Sequence, residues 1–513
     1  MQKRVILVGI YDTYTVSLAP QVLKAYAEKC EPVNGFDIIT KEFSIFSDDI
    51  ETISTELNKL NPDIVGFSMY IWNYNEILEI VKRLKAICVV GGPQVTGIEE
   101  ELVFNNPQIQ FVVTGEGEIV FKELLEYFAG KKSLDTIKGI TSRRQKTQPD
   151  SFLIDLKSIP SVYAGIFKAY PHITWIYYET SRGCPMGCRF CTWSFSKKMR
   201  YLPIENVKED LKRIFSQENI NRLYLCDSSI LFNKPRAKEI LRYVISNCEN
   251  KEIIFEFHYE QLDDEIIGLM RRLPNNEYHF GIQTINERAL TEMGKAFRRE
   301  IFEEKYAKMV AGSRRRNTIV DLIYGLPGDD IEGYKMSINY VFSLPAVNRI
   351  ITNPLIVLPG SYFYQKREEL GIKLKDDKSF IISENSTFSR TDMELARVYS
   401  FFISVIYLNS SLVDCINLLA KERNDTPMDV VVEFMRGLPF DITGGLGYPY
   451  MTPSIKEDFS MRNKVFGNVI AKFDALIECF KKFADSRYDN ILQDYRQNYI
   501  QHYYRLKKFS ENN

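Results

Sequence analysis

Three cysteines, Cys184, Cys188 and Cys191, lie in the stretch ETSRGCPMGCRFCTW with the spacing CxxxCxxC. Thiolates this close together have the type and spacing of candidate metal ligands. A structural zinc ion takes four ligands, and the nearest further candidate, His172, stands before the strand that leads into this loop. A [4Fe-4S] cubane has four irons and is normally held by four cysteines, so three leave one iron open to a small molecule. Taken alone, the pattern allows a cluster, a zinc site or chance. The other six cysteines, Cys30, Cys88, Cys226, Cys248, Cys415 and Cys479, stand singly in apolar surroundings and read as small core residues. An odd total of nine argues against a disulfide framework.

Positioning such a loop needs a scaffold, and 513 residues suggest two or three domains. Residues 1–135 alternate short β-rich runs (RVILVGI, FDIITKEFSI, DIVGFSMY, AICVVGG, IQFVVTG) with helical patterns. This is the signature of a doubly wound, Rossmann-like parallel sheet of about five strands. Ligands of such sheets bind beyond the carboxyl ends of the strands. A polar, irregular stretch at 136–170 reads as a linker. From 171 to 370 the alternation resumes with six strand and helix pairs, an open, partial (β/α)6 barrel. The cysteine loop follows its first strand, HITWIYYET, where chemistry gathers in such barrels, and this placement favours the cluster. Residues 371–513 read as a helical carboxyl-terminal domain, and the aromatics from Tyr488 to Phe509 read as packing residues.

Basic and acidic residues balance, 66 against 67, so no basic field recommends nucleic acid. The opening MQKRVILVGI reads as a first strand, not a secretory signal. The most apolar window, FFISVIYLNSSLVDCINLLA, is broken by polar residues and reads as a buried helix, not a membrane span. The expected location is the cytoplasm.

The cysteine loop and the strands around it resemble the radical S-adenosylmethionine enzymes over about residues 170 to 365. The resemblance implies that Cys184, Cys188 and Cys191 ligate a [4Fe-4S] cluster whose open iron chelates the methionine moiety of S-adenosylmethionine. An external one-electron reductant then drives cleavage to a 5′-deoxyadenosyl radical. It further implies that Phe190 packs on the cluster or adenine, plain core being the alternative, and that Asp227 lies near the methionine amino group. Gln283 and the run Tyr324 to Asp329 fall where relatives contact ribose and adenine, and Leu358 to Tyr362 closes the sixth strand in the same way. Gly325, Pro327 and Gly328 read equally well as a tight turn.

Residues 1–135 resemble the cobalamin-binding domain that precedes the barrel in one large subclass. Ser68, Tyr70 and Trp72 after the third strand, Gly91, Gly92 and Pro93 after the fourth, and Gly115, Glu116 and Gly117 after the fifth are the candidate contacts. The methionine-synthase type supplies an axial histidine from DxHxxG. The matching loop here, DTYTVS, has Tyr14 and Ser17 where His and Gly would stand, and none of the four histidines falls within the first 171 residues. The resemblance therefore implies cobalamin bound without histidine ligation from its own domain.

Polar candidates for the gap between the cofactors are Tyr178, Glu179, Glu256, His258, Tyr259 and Asn353, with Tyr178, Glu179 and His258 as catalytic candidates and Glu256 also as a cofactor contact. The implied activity is methylation of an unactivated carbon in a peptide or small molecule by way of the deoxyadenosyl radical and methylcobalamin. The alternatives are a rearrangement, cyclisation or cross-link with the same cofactors, and a cobalamin-based sensor without catalysis.

Overall fold

The first apolar run, KRVILVGIY, forms β1 (Lys3–Tyr11), whose Val5, Ile6, Leu7 and Val8 are at most 2% exposed. Burial on both faces is what a central parallel strand requires. Helix α1 (Leu18–Lys29) follows, then β2 (Phe36–Ser44), α2 (Ile50–Lys59), β3 (Ile64–Ser68), α3 (Tyr74–Val81), β4 (Ile87–Gly91), α4 (Glu99–Asn105), β5 (Ile109–Val113) and α5 (Gly117–Phe128). The structure, a computed structural model, describes residues 2–438, 477 and 479–484, apart from 12–13, 31–34, 150–152, 194–195, 275–276, 313–316, 377–378 and 408–409.

The sheet order is β2-β1-β3-β4-β5, all parallel, with β6 (Ile140–Thr141) added antiparallel to β5. The chain order reverses between β1 and β3, which places the ligand crevice beside Tyr11 and Ser68. The stretch read as a linker is thus partly structural. Ile137 and Ile140 are fully buried, β6 completes the sheet, and α6 (Tyr163–Ala169) packs below the barrel helices.

The barrel begins with β7 (Trp175–Tyr178). A hairpin of β8 (Ser181–Arg182) and β9 (Arg200–Tyr201) interrupts it, and α7 (Ile204–Phe215), β10 (Arg222–Leu225), α8 (Lys234–Asn247), β11 (Glu252–Phe255) and α9 (Asp264–Met270) complete the first half. The second half is β12 (Tyr278–Gln283), α10 (Glu287–Met293), α11 (Arg299–Val310), β13 (Thr318–Tyr324), α12 (Ile331–Ser343) and β14 (Val347–Pro354). The six parallel strands form two sheets, β11-β10-β7 and β12-β13-β14, and Phe257 packs on Phe280 (5.2 Å) at their junction. The expected open barrel is present; the hairpin and α10 were not anticipated.

The half-barrel leaves β7 and β14 as edges, and the amino-terminal domain covers both. The Tyr14 carbonyl accepts from the N–H groups of Thr174 (2.9 Å) and Trp175 (3.1 Å) at the start of β7. Beyond β14, Gly360 meets the loop after β4 so closely that a Cβ on Gly97 would lie 2.9 Å from the Gly360 nitrogen. Both glycines have positive φ, +88° and +82°, where glycine carries no strain, and the two loops pass each other only because neither has a side chain here.

After α13 (Tyr362–Gln365), β15 (Lys373–Leu374) and β16 (Ile382–Glu384) come α14 (Arg390–Ile406), α15 (Ser410–Arg423) and α16 (Pro427–Gly437). The window expected to be one buried helix is two, bent by 116° between α14 and α15, and Phe402, Ile403, Leu412 and Ile416 pack in the barrel's core. No single helix among the described residues is long and apolar enough to cross a membrane. The aromatic segment from Tyr488 lies outside the described residues.

At the head of α1, Glu42 accepts from the Ser17 N–H (3.0 Å) and the Gln21 side chain (3.1 Å), and burial raises its carboxyl from 4.5 to about 7. The native state therefore binds the proton more tightly than the unfolded chain, and stability falls as pH rises from 4.5 to about 7. Glu42→Gln should flatten that decline, measured as the thermal midpoints of variant and parent at about pH 5 and about pH 8.

Candidate functional site

The cysteine loop hangs from the β8–β9 ladder, in which Ser181 pairs with Tyr201 and Arg182 with Arg200. Side chains alternate along a strand. Ser181 faces the barrel, where its hydroxyl donates to Asp227, and Arg182 faces the amino-terminal domain. Asp227 is fully buried and also accepts from the Thr180 N–H (3.2 Å) and hydroxyl (2.8 Å). Ser228 donates to the Gly183 carbonyl (2.5 Å) and Arg236 to that of Thr180 (3.3 Å). The far side of the loop is fastened to the end of α10 and the start of α13, since the Arg189 N–H donates to Met293 (2.9 Å) and the Phe363 N–H to Arg189 (3.2 Å).

Cys184, Cys188 and Cys191 are free thiols close enough to act on one another electrostatically, and burial raises the thiols of Cys188 and Cys191. Cys191 Sγ accepts from the Trp193 N–H (3.3 Å). Among the described residues no three His, Cys, Asp or Glu side chains converge tightly enough for a single metal ion. Three thiols on one loop, without a fourth ligand among the described residues, are the donor set that would hold a [4Fe-4S] cluster with one iron open. Phe190, between the second and third cysteines, is half-buried against the barrel core.

Inside the barrel, register puts Trp175, Arg222 and Glu252 in one layer, with the Arg222 guanidinium over the Trp175 ring (4.3 Å) and paired with Glu252 (2.5 Å). The next layer holds Tyr177 and Tyr224, ring centroids 5.6 Å apart, and the Tyr224 hydroxyl donates to Glu256 (2.8 Å). Across the lumen, burial and then Glu256 raise Asp321 to about 7. Lys295 reaches in to donate to the Gly281 carbonyl (2.6 Å) and to Gln283, and burial lowers its ammonium to about 8. Gln283 has φ +65° at a bulge in β12, a conformation that a non-glycine residue holds only when its surroundings fix it. His258 stacks on Tyr259 with its Nε2 buried and unpartnered, and burial, then Lys295, lowers its pKa.

Across the seam from this mouth lies the carboxyl edge of the first sheet. Tyr70 stacks on Trp72 (4.4 Å), Trp72 packs on Tyr11 (5.2 Å), and the Tyr11 and Tyr177 hydroxyls are 2.8 Å apart. Ser68 bonds the Tyr70 hydroxyl. Gly92 has φ +98°, and a Cβ there would lie 2.6 Å from the Met69 carbonyl. Gly91 ends β4 half-buried and Pro93 is exposed. Three buried polar groups on this edge, Thr15 Oγ1, Trp72 Nε1 and Gln94 Nε2, have no hydrogen-bond partner among the described residues. Buried donors without acceptors are rare in native folds, and a large ligand rich in amide carbonyls, such as cobalamin, fits them.

The acidic loop between β5 and α5 behaves differently from the expectation. Glu116 forks onto Arg200 and lies 3.9 Å from Arg182, while Glu118, 4% exposed, pairs with Arg182 at 2.6 Å. Glu179 takes the Arg182 Nε (2.9 Å). Burial alone would lower Arg182, but Glu179 and Glu118 outweigh it and raise its pKa. The Glu116 carboxylate is therefore committed to arginines and is not turned toward a ligand; Gly115 and Gly117 shape the turn around it.

Several other expectations change. Tyr178 is 1% exposed and points outward, its hydroxyl donating to Asp210 (3.4 Å), so strand alternation gives the lumen to Tyr177 instead. Tyr324 is likewise turned outward onto Tyr334 (5.5 Å). Tyr259 is buried and accepts from the Arg298 N–H (2.9 Å). Both Asp227 carboxylate oxygens accept from Thr180 and Ser181, which ties the start of the cysteine hairpin to the barrel. Ser17 spends its N–H on Glu42, and Tyr14 lies beside Trp175 (6.4 Å) at the foot of β7, away from the crevice. Leu358 is half-buried in the turn that its carbonyl closes with the Ser361 N–H (3.0 Å), and Asn353 is exposed. Lys295, Asp321 and Tyr177 went unnoticed. A lone Asp at an inward position of TIVDLIY was a readable signal, and so was the glycine before Lys295 that ends α10 in the left-handed conformation and swings the chain back.

Because Asp227 accepts from three donors, Asp227→Asn turns one of those contacts into a donor facing a donor. The variant should keep its circular dichroism but lose iron to a chelator about 10-fold more readily after anaerobic reconstitution, which iron and sulfide assays would read.

The Radical SAM superfamily model matches residues 178–341, and the B12 binding domain model matches residues 7–125. An uncharacterized methyltransferase of Pyrococcus horikoshii is 27% identical over 309 residues, 57% of this chain and 66% of that protein. The 2-(S-pantetheinyl)-carbapenam-3-carboxylate methyltransferase of Streptantibioticus cattleyicolor is 25% identical over 47% of this chain and 37% of its own length. The cobalamin-dependent radical SAM methyltransferase TokK of Streptomyces tokunonensis is 21% identical over 74% of this chain and 59% of its own. The chain thus spans less than two thirds of each of these relatives. Among solved structures, TsrM from Kitasatospora setae with cobalamin and a [4Fe-4S] cluster bound matches with TM-score 0.60, 17% identity, and coverage of 74% of this chain and 81% of that one. OxsB with aqua-cobalamin and S-adenosylmethionine bound matches with TM-score 0.62, 15% identity, and coverage of 100% and 80%. The chain joins a B12-binding domain to a radical SAM domain and belongs with the cobalamin-dependent radical SAM enzymes, whose cofactors are cobalamin, a [4Fe-4S] cluster and S-adenosylmethionine.

Proposed function

We propose that the protein methylates an unactivated carbon of a small molecule or peptide. The observation that carries this reading is that the cysteine hairpin and the carboxyl edge of the first sheet open onto the same seam, with Tyr11 of one domain bonded to Tyr177 of the other. When bound, the cluster supplies one-electron cleavage of S-adenosylmethionine and the corrin supplies a transferable methyl group. Cys184, Cys188 and Cys191 would hold the cluster, and Ser68, Gly91, Gly92, Trp72 and Gln94 would hold the corrin. None of the four histidines falls within the first 171 residues, so this domain would hold the corrin without a histidine of its own.

The rest of the work of the chain is positioning and screening. The aromatic wall of Tyr70, Trp72, Tyr11, Tyr177 and Tyr224 keeps water from the seam, which matters because a reactive carbon centre must meet its methyl donor before it meets solvent. Lys295, by pinning Gln283 over Gly281, shapes the lumen on the opposite side. His258 and Glu256 are the groups placed to hold or accept a proton near the mouth. The names of the relatives support methyl transfer: besides those above they include a hopanoid C-3 methylase of Methylococcus capsulatus, 24% identical over 371 residues.

A second reading, cyclisation with the same cofactors, is favoured by anaerobic magnesium-protoporphyrin IX monomethyl ester cyclases at 24% and 25% identity. Product mass separates the two. With methyl-deuterated S-adenosylmethionine, the product should gain one labelled methyl per turnover; a product of unchanged mass, or one that has only lost hydrogen, would replace methylation with cyclisation.

A further inference from the structure

We propose that the acidic β5–α5 loop of the B12-binding domain is the positioning clamp of the cluster hairpin, so that the surroundings of the cluster are set across the domain seam. The proposal rests on the three cysteines holding the cluster, and it does not depend on what group is transferred.

The argument starts from the ladder itself. A ribbon of two residues per strand is too short to be stable alone, and this one has Arg182 directly opposite Arg200. Like charges opposite each other across a ladder repel. The hairpin would splay unless something neutralised both guanidinium groups. On the barrel side, Asp227, Ser228 and Arg236 hold residues 180, 181 and 183 but touch neither arginine of the pair through a carboxylate. Within the barrel half Glu179 reaches Arg182 (2.9 Å), while the carboxylate on Arg200 and a second one on Arg182 come from the other domain. Glu116 forks onto Arg200 while reaching within 3.9 Å of Arg182, and Glu118 takes the far side of Arg182 at 2.6 Å. Both carboxylates stand at the first turn of α5, Glu116 as its cap, where the helix dipole favours negative charge.

The pairs are nearly dry. Arg182 and Arg200 side chains are 16% and 13% exposed, and those of Glu116 and Glu118 are 17% and 5%. Removing one member leaves an unpaired buried charge, which is far costlier than losing an exposed surface pair. Arg200 also donates to the Ile154 carbonyl (2.8 Å), so β9 is tied to the connecting segment as well. Glu179, at the end of β7 beside Tyr70, closes the network toward the corrin side by its own bond to Arg182.

The test compares the full chain with Glu116→Gln, Glu118→Gln and the double variant after anaerobic reconstitution. Iron and sulfide per chain, iron loss to a chelator, the electron paramagnetic resonance spectrum of the reduced cluster with and without S-adenosylmethionine, and cobalamin content by absorbance are measured. The expected result is iron loss about 10-fold faster and an altered resonance line, with cobalamin content kept. Adding Arg200→Gln to Glu116→Gln should recover part of the lost retention, because the repulsion is gone; a purely structural role of Glu116 predicts no such recovery. Parental iron retention and an unchanged spectrum in the double variant would overturn the proposal, and so would parallel loss of iron and cobalamin. Should the double variant fail to fold, Arg200→Lys, which keeps the charge but not the fork, carries the same comparison. Absence of iron and sulfide in the parent would instead remove the cluster reading on which the proposal stands.

Discussion

An open barrel of six parallel strands leaves an edge on either side of its gap, and an uncovered edge strand is a row of unpaired backbone groups. This constraint governs the arrangement of the molecule. The Tyr14 carbonyl closes the foot of β7, and the loop after β4 meets the turn after β14, so the first domain serves as the missing wall of the second. The crevice of the first sheet, at the β1/β3 switch, is thereby turned toward the barrel mouth. Two separately recognisable ligand-binding folds end up facing one another through the need to cover backbone.

Polar chemistry is confined to that meeting place. The outer faces of the strands are apolar, with Tyr178 and Tyr324 turned onto helices; the inward strand positions carry Tyr177, Tyr224 and Asp321, and Glu256 and Lys295 reach in from the loops after β11 and α10. Titrating groups in this lumen shift toward neutrality, Asp321 upward and Lys295 downward, as burial without full pairing demands.

Much of this was legible in the residues. The cysteine spacing, the two alternating halves and the absence of an early histidine each pointed to a definite element, and strands and most helices fall where apolar periodicity put them. What could not be read was direction. A strand end such as IYYET offers consecutive polar side chains, and only the register with β10 decides that Tyr177 faces the lumen and Tyr178 the shell. Asp227 and Glu116 carried the right type of side chain for ligand contacts, yet neighbouring donors distant in sequence, Thr180 and Ser181 in one case and Arg200 in the other, had already taken their oxygens. The β8–β9 hairpin was invisible because four residues of ladder leave no periodic trace.

The meeting of Gly97 and Gly360 has an evolutionary corollary. Each glycine holds a positive φ in its own turn and also lies against backbone in the other half of the chain. Recombination that exchanged the first half for that of a distant cousin would succeed only if the incoming surface were equally bare at that spot.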